Sequence, residues 1–178
     1  MTPGAISVAG LVIPSRDPLF LAAVAVHVPL GLAAAVTGAV AMLSRKGRGR
    51  HSGFGTAYLW CLGSLTVTAA ALAAMRWASD RGLFLIGAAA LICAVFGRTA
   101  MRRRWPQHVR LHITGMGASY VLMLVAFYVD NGHQLPLWRD LPAAAYWLAP
   151  ALAGLSLIGW ALLRHPLVRA NGGRLPPR

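Results

Sequence analysis

The stretch PLFLAAVAVHVPLGLAAAVTGAVAMLS, residues 18–44, decides the fold class of this chain. It contains no Asp, Glu, Lys or Arg, and it exceeds the roughly 20 residues that a helix needs to cross a bilayer. Backbone groups in lipid must satisfy one another, so we expect a transmembrane helix here. The run is too long for the apolar core of a signal peptide, and no basic segment opens the chain, so we expect this helix to be retained.

Four more charge-free runs follow, at residues 51–75, 82–97, 111–129 and 141–163. The run at 82–97 is short, but it can extend past Arg98 if that side chain reaches the membrane interface. None of the runs alternates as a barrel strand would. The sequence therefore predicts an all-α bundle of five transmembrane helices within one domain, residues 19–163. We expect the helices at about 19–43, 55–75, 82–101, 109–129 and 141–163, after an outer N-terminal segment (1–18) and before a basic tail (164–178).

The basic residues lie on one side of the predicted bundle. The loop at 44–51, the segment at 98–110 and the tail after Leu163 hold four, five and four of them, with no acidic residue. The other side holds four Arg and all four Asp. Cytoplasmic loops are enriched in Lys and Arg, so we predict a multi-pass protein of the cell's inner, cytoplasmic membrane, with its amino terminus outside and its carboxyl terminus in the cytoplasm.

The net charge of +13 would suggest nucleic-acid binding in a soluble protein. Here the charge is clustered between apolar spans, and 57% of the residues are hydrophobic. We therefore expect the basic loops to contact the anionic headgroups of the lipid bilayer and not a nucleic acid. The sequence does not decide whether the protein forms a homo-oligomer or a hetero-oligomer.

Small residues spaced four apart predict where helices approach each other, because close packing drives association in lipid. Such pairs are Ala34 with Gly38, Cys93 with Gly97, and Gly115 with Ser119. Pro29 and Pro150 lie inside predicted spans, where we expect them to kink the helices.

The spans contain no Asp or Glu in their interiors. This argues against a carboxylate proton relay, a di-iron carboxylate centre and most cation-coupled transport sites. A Gly-rich phosphate-binding loop follows a β-strand. The Gly-rich stretch KGRGRHSGFG follows a predicted membrane helix, so it does not indicate such a loop. The sequence leaves catalysis undecided and favours a protein that is not an enzyme.

Histidines are the remaining candidates for chemistry. His51, His108 and His112 fall at the inner boundary of the membrane: His51 immediately precedes predicted helix 2, and His108 and His112 lie at the start of predicted helix 4. Imidazoles at one level could bind a transition metal or the iron of a haem b between helices. The alternative is that they are interfacial residues with no ligand, and we take the absence of a cofactor as the default. His108 fits that alternative best, and we expect His133 and His165 to be solvated.

His27 is predicted to lie about 12 Å below the outer edge of the membrane. That depth separates it from His51 and His112, so it could only belong to a site of its own. An embedded imidazole needs a hydrogen bond, for which Thr37 and Ser64 are candidate partners. Cys61 and Cys93 on helices 2 and 3 could form a redox pair or a soft-metal site, although small buried packing residues are commoner.

Four segments resemble a bacterial family of small integral membrane proteins catalogued as a domain of unknown function, number twenty-three-oh-six. HVPLGLAAAVTG is similar to the family's first helix, and LPAAAYWLAPALAGLSLIG to its last. RGRHSGFGTAYLW resembles its His, Gly, Tyr pattern through His51, Gly55 and Tyr58, although Ser52 stands where the family usually has Arg. HITGMGASY resembles its His, Met, Ser-Tyr segment. The resemblance implies no known activity, and it selects His27, His51 and His112 as the residues to test.

Two functions follow from these observations. The first is a non-enzymatic membrane protein, such as a scaffold, a partner subunit or a small-solute element, whose histidines are structural. The second is a haem- or metal-binding electron-transfer protein with His51 and His112 as ligands. The missing carboxylates favour the first function at this stage.

Reporter fusions test the predicted orientation. A green fluorescent protein fused to the carboxyl terminus should fluoresce, and alkaline phosphatase fused there should stay inactive, because that end is predicted to be cytoplasmic. The same reporters placed after residue 140 should give the reverse result. Active phosphatase at the carboxyl terminus would contradict the assignment.

Overall fold

The structure, a computed structural model, describes residues 6–8, 11–13, 17–47, 49–166 and 168. Within these residues the chain forms five long helices, and each is long and apolar enough to cross a membrane, which confirms the predicted fold class. The helices are α1 (Pro18–Leu43), α2 (Arg50–Met75), α3 (Trp77–Arg102), α4 (His108–Asn131) and α5 (Ala143–Arg164). Most of the predicted basic tail lies outside the described residues.

Two short strands, β1 (Ile6–Val8) and β2 (Leu11–Ile13), pair antiparallel before α1. The sequence analysis did not predict them. A short 3₁₀ turn (Gly132–Gln134) follows α4. These elements add little to an otherwise helical molecule.

The helix ends reflect which residues tolerate the membrane interface. α1 begins at Pro18 after Asp17, whose carboxylate accepts a hydrogen bond from the Leu19 N–H at 2.8 Å. α2 begins at Arg50 and not at about 55, and α3 begins at Trp77 and not at about 82. Polar and charged first turns at the interface were missed because the sequence prediction counted apolar residues. His51 therefore lies inside α2 and not before it.

Each helix packs on the next one along the chain, and α1 also touches α4. Helices α1–α4 thus form a four-helix bundle, with α2 and α4 diagonally opposed, while α5 packs on the outside of α4. Large apolar side chains such as Leu32 and Leu155 point outward and are exposed on the surface of the protein. Such faces suit contact with lipid. We call the end formed by the α1–α2 loop, the α3–α4 turn and the last turn of α5 the basic end.

The backbones of α3 and α4 touch at Gly97 and Gly115. A Cβ atom on Gly115 would stand 2.8 Å from the Cys93 carbonyl oxygen, and one on Gly97 would stand 2.9 Å from the Met116 nitrogen. No side chain fits in that space. The predicted pair of Cys93 with Gly97 therefore lies in the contact between these helices, and Gly115 of the second predicted pair lies opposite it.

The centre of the bundle holds a tyrosine pair. Tyr58 and Tyr120 both pack against Gly38, where an added Cβ would stand 2.6 Å from the Tyr120 ring. Tyr58 is buried, and its hydroxyl bonds to the Ser119 hydroxyl at 2.7 Å. The Tyr120 hydroxyl donates to the Ala35 carbonyl oxygen at 2.9 Å. These bonds satisfy polar groups at membrane depth, and they join α1, α2 and α4 across the core.

The contact at Gly115 gives a stability prediction. We expect Gly115→Ala to lower the stability of the detergent-solubilised protein by about 1–3 kcal/mol, because the methyl group forces α3 and α4 apart. Gly87→Ala on α3 is the matched control, since its added Cβ has no atom within 4 Å. It should be neutral or stabilising by up to about 1 kcal/mol through helix propensity. Thermal unfolding measures both, and equal effects would contradict the packing.

Candidate functional site

Two histidines from diagonally opposed helices meet at the basic end. His51 lies in the first turn of α2 and His112 in the second turn of α4. Their ring centroids are 6.1 Å apart, and the ring planes are inclined by 79°. Both side chains are half-buried. The fold thus brings together the two residues selected from the sequence, while their role as ligands stays a prediction.

Hydrogen bonds define which nitrogen of each ring carries the proton. His51 Nδ1 lies 2.8 Å from the Ala41 carbonyl oxygen, and His112 Nδ1 lies 3.1 Å from the Gly97 carbonyl oxygen. A carbonyl oxygen can only accept, so both Nδ1 atoms donate. In the neutral rings Nε2 then bears the free lone pair. This is the tautomer of a metal-ligating histidine whose ring is oriented by a second hydrogen bond.

The two hydrogen bonds have different consequences for the helices. Ala41 lies in the last turn of α1, where a carbonyl has no partner within the helix, so His51 satisfies it. Gly97 lies earlier in α3, where its carbonyl already accepts the N–H four residues on. The bond from His112 is therefore not required by α3. Its effect is to fix the orientation of the imidazole.

Two positive charges act on the His112 side of the histidine pair. Arg98 Nη2 donates to Thr56 Oγ1 at 2.8 Å, and Thr56 donates to the Ser52 carbonyl oxygen at the same distance. The charges of Arg98 and Lys46 both act electrostatically on the His112 ring. Lys46 lies in the loop between α1 and α2, where desolvation lowers its pKa below the usual value. The sequence places no acidic residue at this end to balance these cations.

His27 stands apart from the pair and has its own partner. Its Nδ1 lies 2.8 Å from Thr68 Oγ1 on α2. The Thr68 hydroxyl donates to the Leu65 carbonyl oxygen, so it accepts from His27. Neither suggested partner was correct: Thr37 donates to the Ala33 carbonyl oxygen within α1, and Ser64 is exposed. The structural bond explains how this imidazole is tolerated at membrane depth.

The other three histidines do not join the pair. His108 Nδ1 bonds to the Trp105 carbonyl oxygen at 3.2 Å, in the turn before its own helix. His133 is exposed at the opposite end, as expected. His165 is only half exposed, and its Nδ1 is buried without a hydrogen-bond partner among the described residues. The expectation that His165 is fully solvated is therefore wrong.

The cysteines form no larger site. Cys61 and Cys93 are free and half-buried. Across the part of the chain that the structure describes, no three His, Cys, Asp or Glu side chains are grouped so that they could hold a metal ion. Among these four residue types, the described residues therefore offer the histidine pair no third ligand.

Residues quoted for the family resemblance converge in space. His51 faces His112, and Tyr58 bonds Ser119 beside Tyr120. The sequence analysis proposed His51 and His112 as ligands of one site, but it did not predict the pairing of Tyr58 with Ser119, which depends on α2 and α4 being diagonal neighbours.

Comparison of the chain with protein-family models, curated proteins and solved structures found no match. The resemblance to the family of unknown function therefore stays a prediction.

Removal of the His27 partner tests the outer hydrogen bond. We expect Thr68→Val to lower stability in detergent by about 1–3 kcal/mol, because it leaves the His27 N–H unsatisfied. Thr66→Val is the matched control, since the Thr66 hydroxyl bonds only the Leu62 carbonyl oxygen of its own helix. Thermal unfolding compares the two, and an equal loss would mean that the bond to His27 contributes nothing.

Proposed function

We propose that this chain is a multi-pass membrane protein that binds a metal centre, either a haem iron or a transition-metal ion, through His51 and His112. The observation that supports this proposal is the geometry of the pair, in which two rings on facing helices lie 6.1 Å apart. Both rings have Nδ1 engaged by a backbone carbonyl. The core of a four-helix bundle is a common place for such sites.

The separation of the rings suits shared ligation. A metal–nitrogen distance of about 2.0–2.1 Å and a ring radius of about 1.1 Å put two trans imidazole centres about 6.2–6.4 Å apart. The observed separation is close to this value. To reach one metal, both Nε2 atoms would have to face the gap between the two rings.

A structural role explains the pair less completely. His51 satisfies an unpaired carbonyl of α1, and that bond needs no ligand. The His112 bond lacks such a reason, since Gly97 is already paired within α3. A scaffold or partner subunit would also not need two imidazoles at one level of the bundle. The geometry therefore favours the metal-binding function over the non-enzymatic one that composition favoured.

The ligand number indicates the chemistry. An iron held by two imidazoles within a porphyrin has no open position for substrate, so it suits electron transfer rather than activation of a bound molecule. Transfer through this centre would occur at the basic end, which is the predicted cytoplasmic side.

Purification in mild detergent tests the proposal. From cells grown with added iron and haem precursor, we expect about one metal centre per chain, measured by metal analysis and by oxidised and reduced visible spectra. His51→Ala and His112→Ala should each remove it, because a two-ligand site fails when one ligand is lost. His108→Ala, on the same helix as His112, should retain it.

Folding is controlled by size-exclusion profile and helical circular dichroism of each variant. A wild-type protein that stays colourless and free of metal, even after reconstitution with haem and with Zn²⁺, Cu²⁺ and Co²⁺, would refute the proposal. It would return the histidines to a structural role.

A further inference from the structure

The number of donors at the histidine pair limits which metal centre can bind. A bare ion such as Zn²⁺ is held by three or four protein ligands in almost all sites. The described residues offer no third His, Cys, Asp or Glu beside His51 and His112. A haem iron needs only two axial ligands, since the porphyrin supplies four nitrogens. The pair therefore suits a metal ion whose other ligands are supplied by a chelating group and not by the protein.

The charges around the pair point the same way. Arg98 and Lys46 act on His112, and among the described residues no Asp or Glu lies at the basic end. A bare dication would be repelled there, because nothing offsets its charge. A chelate with its own negative groups would be attracted. Haem has this property through its two propionate carboxylates.

Arg98 is the side chain placed to receive such a carboxylate. It follows Gly97, whose carbonyl orients His112, so it lies at the level of the pair. Its side chain is half-buried, and its bond to Thr56, the one that it makes among the described residues, uses a single N–H of the five on a guanidinium. The remaining donors match the geometry of a carboxylate.

Space for a flat ligand exists on α2 beside His51. Gly55 lies one helical turn further on the same face, and a Cβ there would have no atom within 4 Å. The wall next to the imidazole is therefore bare backbone, over which a porphyrin edge can lie.

Resting on the proposed function, we propose that the ligand is an iron porphyrin with free carboxylates, bound through His51 and His112 and paired with Arg98 through a propionate. Arg98 is a positioning residue that sets affinity and orientation and does not touch the iron.

Titration of the metal-free protein in detergent with haem and with haem dimethyl ester tests the pairing with Arg98. The ester has no propionate charge, so wild-type protein should bind it about tenfold more weakly than haem, through loss of a charge-assisted bond. In Arg98→Gln the affinity for haem should fall by the same factor, and haem and ester should bind alike. Arg98→Lys should recover part of the difference.

The control is Arg102→Gln, one turn further along α3 and exposed, which should leave the preference for haem unchanged. The visible spectrum of the bound form should stay that of a six-coordinate bis-histidine haem in all three arginine variants, because the axial ligands are intact. Such a spectrum separates loss of the propionate contact from loss of folding.

Other outcomes of these experiments would refute either the porphyrin, the role of Arg98 or the proposed function. Binding of Zn²⁺, Cu²⁺ or Co²⁺ that depends on both histidines, without haem binding, would refute the porphyrin and leave the proposed function standing. Equal affinity of wild type for haem and ester, or an Arg98→Gln variant that still prefers haem, would refute the role of Arg98. Failure of every metal and of haem to bind would refute the proposed function itself.

Discussion

Direct contact between the backbones of α3 and α4 at Gly97 and Gly115 is the constraint on which the site depends. It sets the distance at which the His112 ring reaches the Gly97 carbonyl oxygen. It also places Arg98 at the level of that ring. The hydrophobic effect does not drive helices together in lipid, so their association depends on close van der Waals packing. Two glycines without side chains let the backbones approach closely enough for strong dispersion contacts.

The polar groups of the core lie in layers across this bundle. Tyr58, Ser119 and Tyr120 form hydrogen bonds near its centre, and His51 and His112 lie nearer the basic end. Hydroxyls in the central layer bond to each other or to the backbone, as the absence of water demands. The histidines differ because each has one nitrogen occupied by a carbonyl and the other with a free lone pair. That difference is the reason why we propose a functional role for the histidine layer and a structural role for the central layer.

Sequence reasoning selected His51 and His112 as one candidate site, but it did not identify the partners of His27 and Tyr58. His51 and His112 were selected because both lie at one membrane boundary, a one-dimensional property of depth. Which side chains meet depends on how each helix is rotated about its axis. An apolar run does not determine that rotation, because any apolar face can contact lipid. For the same reason Thr68 was missed as the partner of His27, although it lies on the neighbouring helix. A search for hydroxyls at matched depth on α2 would have found it.

The sequence by itself determined the helix number and predicted the sidedness, because burial in lipid and charge at the interface act on local composition. The small-residue pairs could also be identified from the sequence as candidate helix contacts, although only the structure showed which of them face each other. Tertiary structure alone decided that α2 and α4 are diagonal neighbours and that α5 stays outside. Packing decided this, since the shapes of Gly38, Gly97 and Gly115 select one arrangement among many that the same apolar helices could adopt.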